Sequence, residues 1–183
     1  AQTNAIQALE QLKDWFRIPT PRSEPPFEIE ELIDIGLQCV QRIHKGFTPH
    51  IKKEIPELPP LANALTLFSD IFFILFDNIR KYAETDQSPN IKIKITRESD
   101  EVAFLVSNEL GASTISEEAL EKIQEIKTKI SKDTYHSSVK SEGGTGLIKL
   151  RKLIGTNQEL DFGYNEDNEF FVKFNLSLHE IEL

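Results

Sequence analysis

The sequence predicts an α+β fold, a two-layer α/β sandwich in which a mixed, largely antiparallel sheet carries its helices on one face. Three patterns lead there. Ile91, Ile93 and Ile95 alternate with Lys92, Lys94 and Thr96, the two-residue period of a strand with one buried side. Residues 61–83 place Leu65, Phe68, Phe72, Leu75 and Ile79 at helical spacing, an apolar stripe that must face a core. Near the end, Phe170, Val172, Phe174, Leu176 and Leu178 share one side of a strand, so that sheet face has to be covered.

Taken in order, residues 5–17 repeat Ile6, Leu9, Leu12 and Phe16 at three- and four-residue steps, an amphipathic helix suited to pairing. Residues 1–18 are therefore read as a helical, dimerising tail of an upstream domain. Residues 19–26 are a proline-rich linker, because proline lacks the amide donor and pushes its predecessor out of helix geometry. Residues 27–183 form the main domain. A helix is expected over 29–42 and a short strand over 51–55, closed by Pro56, Pro59 and Pro60. After the long helix, the strand around Ile93 pairs antiparallel with residues 102–106 across a Ser99-Asp100 turn. Helix returns over 115–130, with Ser116 as N-cap and Glu117 and Glu118 in its first turn. Residues 131–144 are polar and without period, and read as a lid. A short helix over 146–154 precedes a hairpin of strands 160–164 and 170–178 around residues 165–168.

Composition narrows the function classes. At 183 residues and 39% hydrophobic content, the chain can bury one good core. Acidic residues outnumber basic ones 30 to 21, for a net charge of −9, which argues against a sequence-independent grip on nucleic-acid phosphates. Cys39 is the lone cysteine, read as a small buried hydrophobe in a reducing compartment. No apolar run reaches the roughly 18–20 residues that span a membrane, so the expectation is a cytoplasmic place without membrane contact. The absence of methionine and the opening Ala1 suggest a fragment of a longer polypeptide or a processed chain.

Two segments carry chemistry. Phe76-Asp77-Asn78-Ile79-Arg80-Lys81-Tyr82 puts an amide oxygen that suits a hard cation one turn from a lysine and a tyrosine. Gly143-Gly144-Thr145-Gly146-Leu147 puts small residues at the start of a basic helix, where backbone amides can approach phosphate. Plainer readings stand beside these: Asn78 satisfying backbone near a helix end, Lys81 solvated, Tyr82 half-buried, the glycines filling a loop. Lys149, Arg151 and Lys152 read as a solvated face. His44, His50 and His136 lack the neighbouring carboxylate of a phosphoacceptor, and His179 lies at a strand end.

In this order, with two strands and a polar loop between them, the segments resemble the ATP-binding domain of the GHKL (Bergerat-fold) superfamily, which includes gyrase, the MutL repair proteins, heat-shock chaperones and histidine kinases. The similarity is greatest to the histidine kinases. The family helix motif is Asn-x-x-x-Asn-Ala-x-Lys-Tyr, whose second Asn binds the magnesium that bridges the phosphates; Asn78 matches it, and Lys81 and Tyr82 match residues near the phosphates and the adenine edge. Its Asp-x-Gly-x-Gly motif corresponds to Asn108 and Gly111, with Asn replacing the Asp that accepts from the adenine amino group. Its Gly-x-Gly-Leu-Gly-Leu phosphate loop corresponds to Gly144, Thr145, Gly146 and Leu147, with Ile148 in place of the last Gly. Ile74 stands where hydrolysing relatives carry a glutamate base, and an alkyl side chain accepts no proton.

The resemblance implies an ATP and Mg2+-binding catalytic-type domain that donates the γ-phosphate to a phosphoacceptor in an upstream domain or a partner protein, within a homodimer. Gyrase-type hydrolysis is disfavoured. The alternatives are a non-catalytic sensor of ATP or ADP whose lid controls a protein partner, or a degenerate scaffold that binds no nucleotide.

Overall fold

The computed structural model describes residues 25–83, 88–111, 115–132 and 145–177. The helix expected over 5–17, most of the proline-rich stretch, the greater part of the expected lid, Gly143, Gly144 and Leu178 lie outside the described residues.

Helix α1 (Ile29–Ile43) opens at Glu28 in a capping box, the Glu28 amide donating to the Glu31 carboxylate at 3.0 Å. It buries Ile29, Leu32, Ile33, Gly36 and Val40. Cys39 is only partly buried, one position off that stripe, rather than in the core as expected. Strand β1 (His50–Glu54) follows, and then helix α2 (Leu65–Tyr82). The long helix starts at Leu65 and not at residue 61. Leu61 instead exchanges backbone hydrogen bonds with Phe27 at 3.0 and 2.8 Å, and Asn63 takes a left-handed φ of 53°. Pro59 and Pro60 hold the approach extended, so the chain turns once more before it can coil.

Strand β2 (Asn90–Glu98) pairs parallel with β1, with Ile51 opposite Ile91. Parallel neighbours need a crossover, and α2 supplies it. Strand β3 (Glu101–Glu109) returns antiparallel through a turn in which Ser99 has a φ of 56°. Helix α3 (Glu117–Ser131) is capped by Ser116, whose hydroxyl accepts from the Ala119 amide at 3.1 Å. Helix α4 (Thr145–Ile154) leads to the hairpin of β4 (Leu160–Tyr164) and β5 (Glu169–Ser177). The turn is held by Asn165, whose side-chain oxygen accepts from the Asp167 and Glu169 amides at 3.1 and 2.8 Å. The sheet order is β1-β2-β3-β5-β4, mixed and largely antiparallel as the sequence implied.

The covered sheet face carries Ile91, Ile93, Ile95, Val102, Phe104, Val106, Val172, Phe174 and Leu176, all buried. Phe104 stacks flat on its cross-strand partner Phe174, centroids 4.8 Å apart. Helix α2 lays Phe68, Ile71, Phe72, Leu75, Phe76 and Ile79 onto this surface, a wider stripe than the five residues expected. Leu65 lies at its edge. Each fully buried Phe contributes roughly 1.5–3 kcal/mol, so the aromatic row is a substantial source of adhesion between the layers. On the open face Glu169 is buried beneath Lys92, whose ammonium reaches it at 2.5 Å. That hydrogen bond, with others from Asn165 and Ser107, holds the carboxyl below its ordinary range despite burial.

Helices α1 and α2 touch at Gly36. A Cβ there would collide with the Cβ of Phe72 and lie 3.3 Å from its Cα. Gly36→Ala is therefore expected to destabilise the domain by about 1–3 kcal/mol through overpacking, although alanine is the better helix former by about 1 kcal/mol. Urea unfolding measures it, and an unchanged or raised midpoint would show that the helices separate at little cost.

Candidate functional site

The site lies where α2 runs out of core to cover. Its last two turns still bury Ile79 but also carry residues that line cavities in place of core. Asn78 and Tyr82, one turn apart, share one face. Across the sheet end the register aligns Asn108 of β3 with Phe170 of β5, and Phe170 with Tyr164 of β4. Cross-strand partners project to the same side, so these three residues form a floor. Helix α3 closes the opposite side.

The resulting cavity has a volume of about 290 Å³. Its walls are mostly apolar, from Ile79, Ala83, Ile123, Ile126, Leu147 and Phe170. Among the described residues that line it, Asn108 is the buried polar one, 3% exposed. Its Nδ2 donates to the Glu109 carbonyl at 3.1 Å. The sequence reading placed Asn108 beyond a strand ending near Val106; β3 continues to Glu109, because Asn108 still pairs with Ile91 on one side and Phe170 on the other. Lys122 reaches over the half-exposed Tyr82 ring, 5.9 Å from its centroid.

A second, smaller cavity of about 110 Å³ adjoins the first, since Asn78 and Tyr82 line both. It is bounded by Asp77, Lys81, Thr145, Gly146 and Lys149, with Ile74 offering only alkyl surface. The N-terminus of α4 comes very close to Asn78 here. A Cβ on Gly146 would lie 2.5 Å from the Asn78 Oδ1 and 2.6 Å from its Nδ2. Any larger residue would displace the Asn78 amide from this position, so the two sequence motifs meet through the absence of a side chain. Leu147, next in line, is buried and faces the larger cavity.

Asp77 organises the cations beside Asn78. Lys81 reaches its carboxylate at 2.6 Å and Arg80 at 2.9 Å, and His44 lies 3.8 Å away. Burial pushes the Asp77 carboxyl up, but the Lys81 and Arg80 hydrogen bonds outweigh it and hold the group below the usual aspartate value. Gly111 lines neither cavity; its amide donates to the Ala83 carbonyl at 3.2 Å, fastening the end of α2 to the end of β3. Arg151 is not simply solvated as expected. It donates to the Gly155 and Gln158 carbonyls at 3.1 and 2.5 Å and closes the α4 to β4 connection. Gly144 lies outside the described residues.

Sequence reasoning missed Lys122, Ile123 and Ile126 on α3 and the Tyr164–Phe170 edge contact, centroids 5.4 Å apart. The helix over 115–130 was expected, but nothing local to its isoleucines said they would face a cavity.

A family model described as "y4jQ C-terminal putative histidine kinase domain" matches residues 28–178. The chain belongs to that family. Solved histidine-kinase structures share the fold of this histidine-kinase-like domain. The catalytic domain of ThkA is 19% identical with a TM-score of 0.57, covering 85% of this chain and 95% of that one. The mycobacterial sensor kinase MprB is 11% identical with a TM-score of 0.55, covering 84% and 96%. AdeS of Acinetobacter baumannii is 14% identical with a TM-score of 0.56, covering 96% and 81%. At these identities the likeness is one of fold. The GTP-binding protein gtr2 of Schizosaccharomyces pombe is 35% identical over 100 residues, 46% of this chain and 32% of that protein. The chain thus spans about a third of that curated relative, and a match so partial transfers no activity. No described helix of this histidine-kinase-like domain is long and apolar enough to cross a membrane.

The Asp77 cluster has a pH signature. A carboxyl with a depressed folded pKa adds stability that is present above the ordinary aspartate value near 4 and lost as pH falls through the folded one. Asp77→Asn is expected to cost about 1 kcal/mol at neutral pH, the partners being partly solvated, or about 2–4 °C in melting temperature. The gap should narrow as pH falls below the ordinary aspartate range and through the depressed folded value. Thermal melts across pH check this, and a gap that persists in acid would assign the loss to packing.

Proposed function

We propose that this domain binds ATP with magnesium across the two adjoining cavities and donates the γ-phosphate to an acceptor outside these residues, on an upstream helix or a partner protein. The observation that carries the reading is the contact of Gly146 with Asn78. It sets a neutral amide oxygen, a helix N-terminus and two lysines around one small polar space beside an apolar cavity. These residues suit the ligand. The base enters between Ile79, Leu147 and Phe170 over Asn108, while the phosphates extend towards Thr145, Lys81 and Lys149.

Magnesium, when bound, neutralises phosphate charge and orients the chain of phosphates. Among the described residues no group of three or more His, Cys, Asp or Glu is placed to hold a metal ion. Asn78 would offer it a side-chain oxygen, as suits an ion that keeps water and phosphate ligands. The work left to the chain is placement. Amides at the start of α4 and the Thr145 hydroxyl orient the terminal phosphates, and Asp77 holds Lys81 alongside them. Ile74 supplies no base to activate water, so transfer to an incoming acceptor is favoured over hydrolysis. A cytoplasmic place, and pairing with a second copy through residues 1–18, accompany this reading.

Calorimetric titration of the chain with ATP and ADP, with and without magnesium, tests it. Saturable, magnesium-dependent binding is expected, weakened at least about tenfold in Asn78→Ala, the scale of one lost charge-assisted contact. No heat at millimolar nucleotide would refute the reading. Phosphotransfer from labelled ATP in a polypeptide that includes the upstream region then separates a kinase from a sensor, which binds and never transfers.

A further inference from the structure

Asn108 is the one buried polar side chain among the described residues of the larger cavity, and its chemistry is two-sided. A carboxylate at that place only accepts hydrogen bonds. It would pair with the 6-amino group of adenine and repel the 6-oxo group of guanine, which presents an oxygen at the same position. A primary amide carries an acceptor and two donors on one planar group. Half a turn about its terminal torsion exchanges them, and that torsion is soft.

We propose that the cavity accepts 6-oxo purines as well as 6-amino purines, with GTP bound within about tenfold of ATP, and that Asn108 is the residue that relaxes the choice. This rests on the nucleotide-site reading above. The present orientation sets the direction of the residual preference. Nδ2 donates to the Glu109 carbonyl at 3.1 Å, which turns Oδ1 to the role of acceptor and suits an amino group. A 6-oxo group is received either by the second hydrogen of Nδ2 or by turning the amide and giving up that bond, a loss of no more than about tenfold in affinity.

The rim adds a compensating acceptor. Glu118, in the first turn of α3, lines the same cavity and is exposed. Adenine offers its Watson–Crick edge one donor, the amino group, whereas guanine adds a ring N1–H and a 2-amino group. With the adenine amino group taken by Asn108, a carboxylate at the mouth finds further donors to meet with the second base. The apolar walls from Ile79, Ile123 and Phe170 read area and not hydrogen bonds, so they hold either two-ring base and favour both over a pyrimidine. At the place of Asn108, the buried polar position among the described residues, no carboxylate stands to repel the 6-oxo oxygen, and selectivity between close analogues generally depends on such a group.

The experiment is a set of calorimetric or dye-displacement affinities of the 183-residue chain for ATP, GTP and CTP with magnesium, repeated for Asn108→Asp. Mildly alkaline buffer keeps the introduced carboxyl ionised. Expected for the native chain are ATP and GTP within about tenfold and CTP weakest. Asn108→Asp should keep ATP and lose GTP, widening the ratio to about a hundredfold or more by adding the repulsive element. ATP binding with GTP already more than a hundredfold weaker in the native chain overturns the proposal and leaves the nucleotide site standing. Equal affinity for CTP overturns it by showing that the base is not read. Absence of binding by all three overturns the nucleotide site itself and this proposal with it. The native ratio decides the matter even where the variant fails to fold, which circular dichroism monitors.

Discussion

Burial of the α2 phenylalanine row against the sheet is the interaction on which the rest depends. Phe68, Phe72 and Phe76 recur one turn apart and are fully buried, with successive centroids 6.0 and 6.2 Å apart. With the helix fixed in azimuth by its middle turns, the direction of its last turns is no longer free. Asn78 and Tyr82 must face the cavities, because a helix held at three points along one face cannot rotate at its tip without pulling phenylalanine into water. The polar site is thus aimed by apolar packing some distance away. Gly36 serves the same end, letting α1 lie close enough to brace α2 at Phe72.

The cavity walls differ in how firmly they are held. The floor belongs to the sheet, where each residue is hydrogen-bonded into a ladder and Phe170 is tied into both β3 and β4. Helix α4 brings Leu147, Ile148, Leu150 and Ile154 into the core. Helix α3 by contrast buries a single residue, Ile126. Displacing it costs little apolar area, so of the walls it is the one that can adjust to an occupant, while the floor and the Asn78 side keep their positions. That division suits a site that must recognise a ligand on one side and admit it on the other.

Charge follows local rules here and not the net balance. A chain of net charge −9 would repel a polyphosphate as a whole, yet Lys81 and Lys149 stand at the small cavity while Asp77, the one carboxylate among the described residues that line it, is already paired with Lys81 and Arg80. At physiological ionic strength fields beyond about 8 Å are largely screened, so the nearby lysines outweigh the distant acids. Pairing within one helix also fixes the lysine at low entropic cost, since the i and i+4 positions are neighbours before any ligand arrives.

Alternating and helical apolar periods, read from residues such as Ile91 to Ile95 and Phe68 to Ile79, determined by themselves which segments became strands and helices, because those periods are set by backbone geometry alone. Asn78, Lys81 and Tyr82 were likewise legible as one face of one helix. Boundaries were less so: the start of α2 at Leu65 depended on Leu61 finding a partner in Phe27, thirty-odd residues earlier in the chain. The parallel placement of β1, the use of Arg151 to close a loop and the turning of Gly111 to backbone support were decided only by tertiary structure. So was the meeting of Asn78 with Gly146, which no local pattern encodes. Local periodicity reports what each segment must bury; which distant segment supplies the other half of a contact is settled only when all the buried faces are satisfied at once.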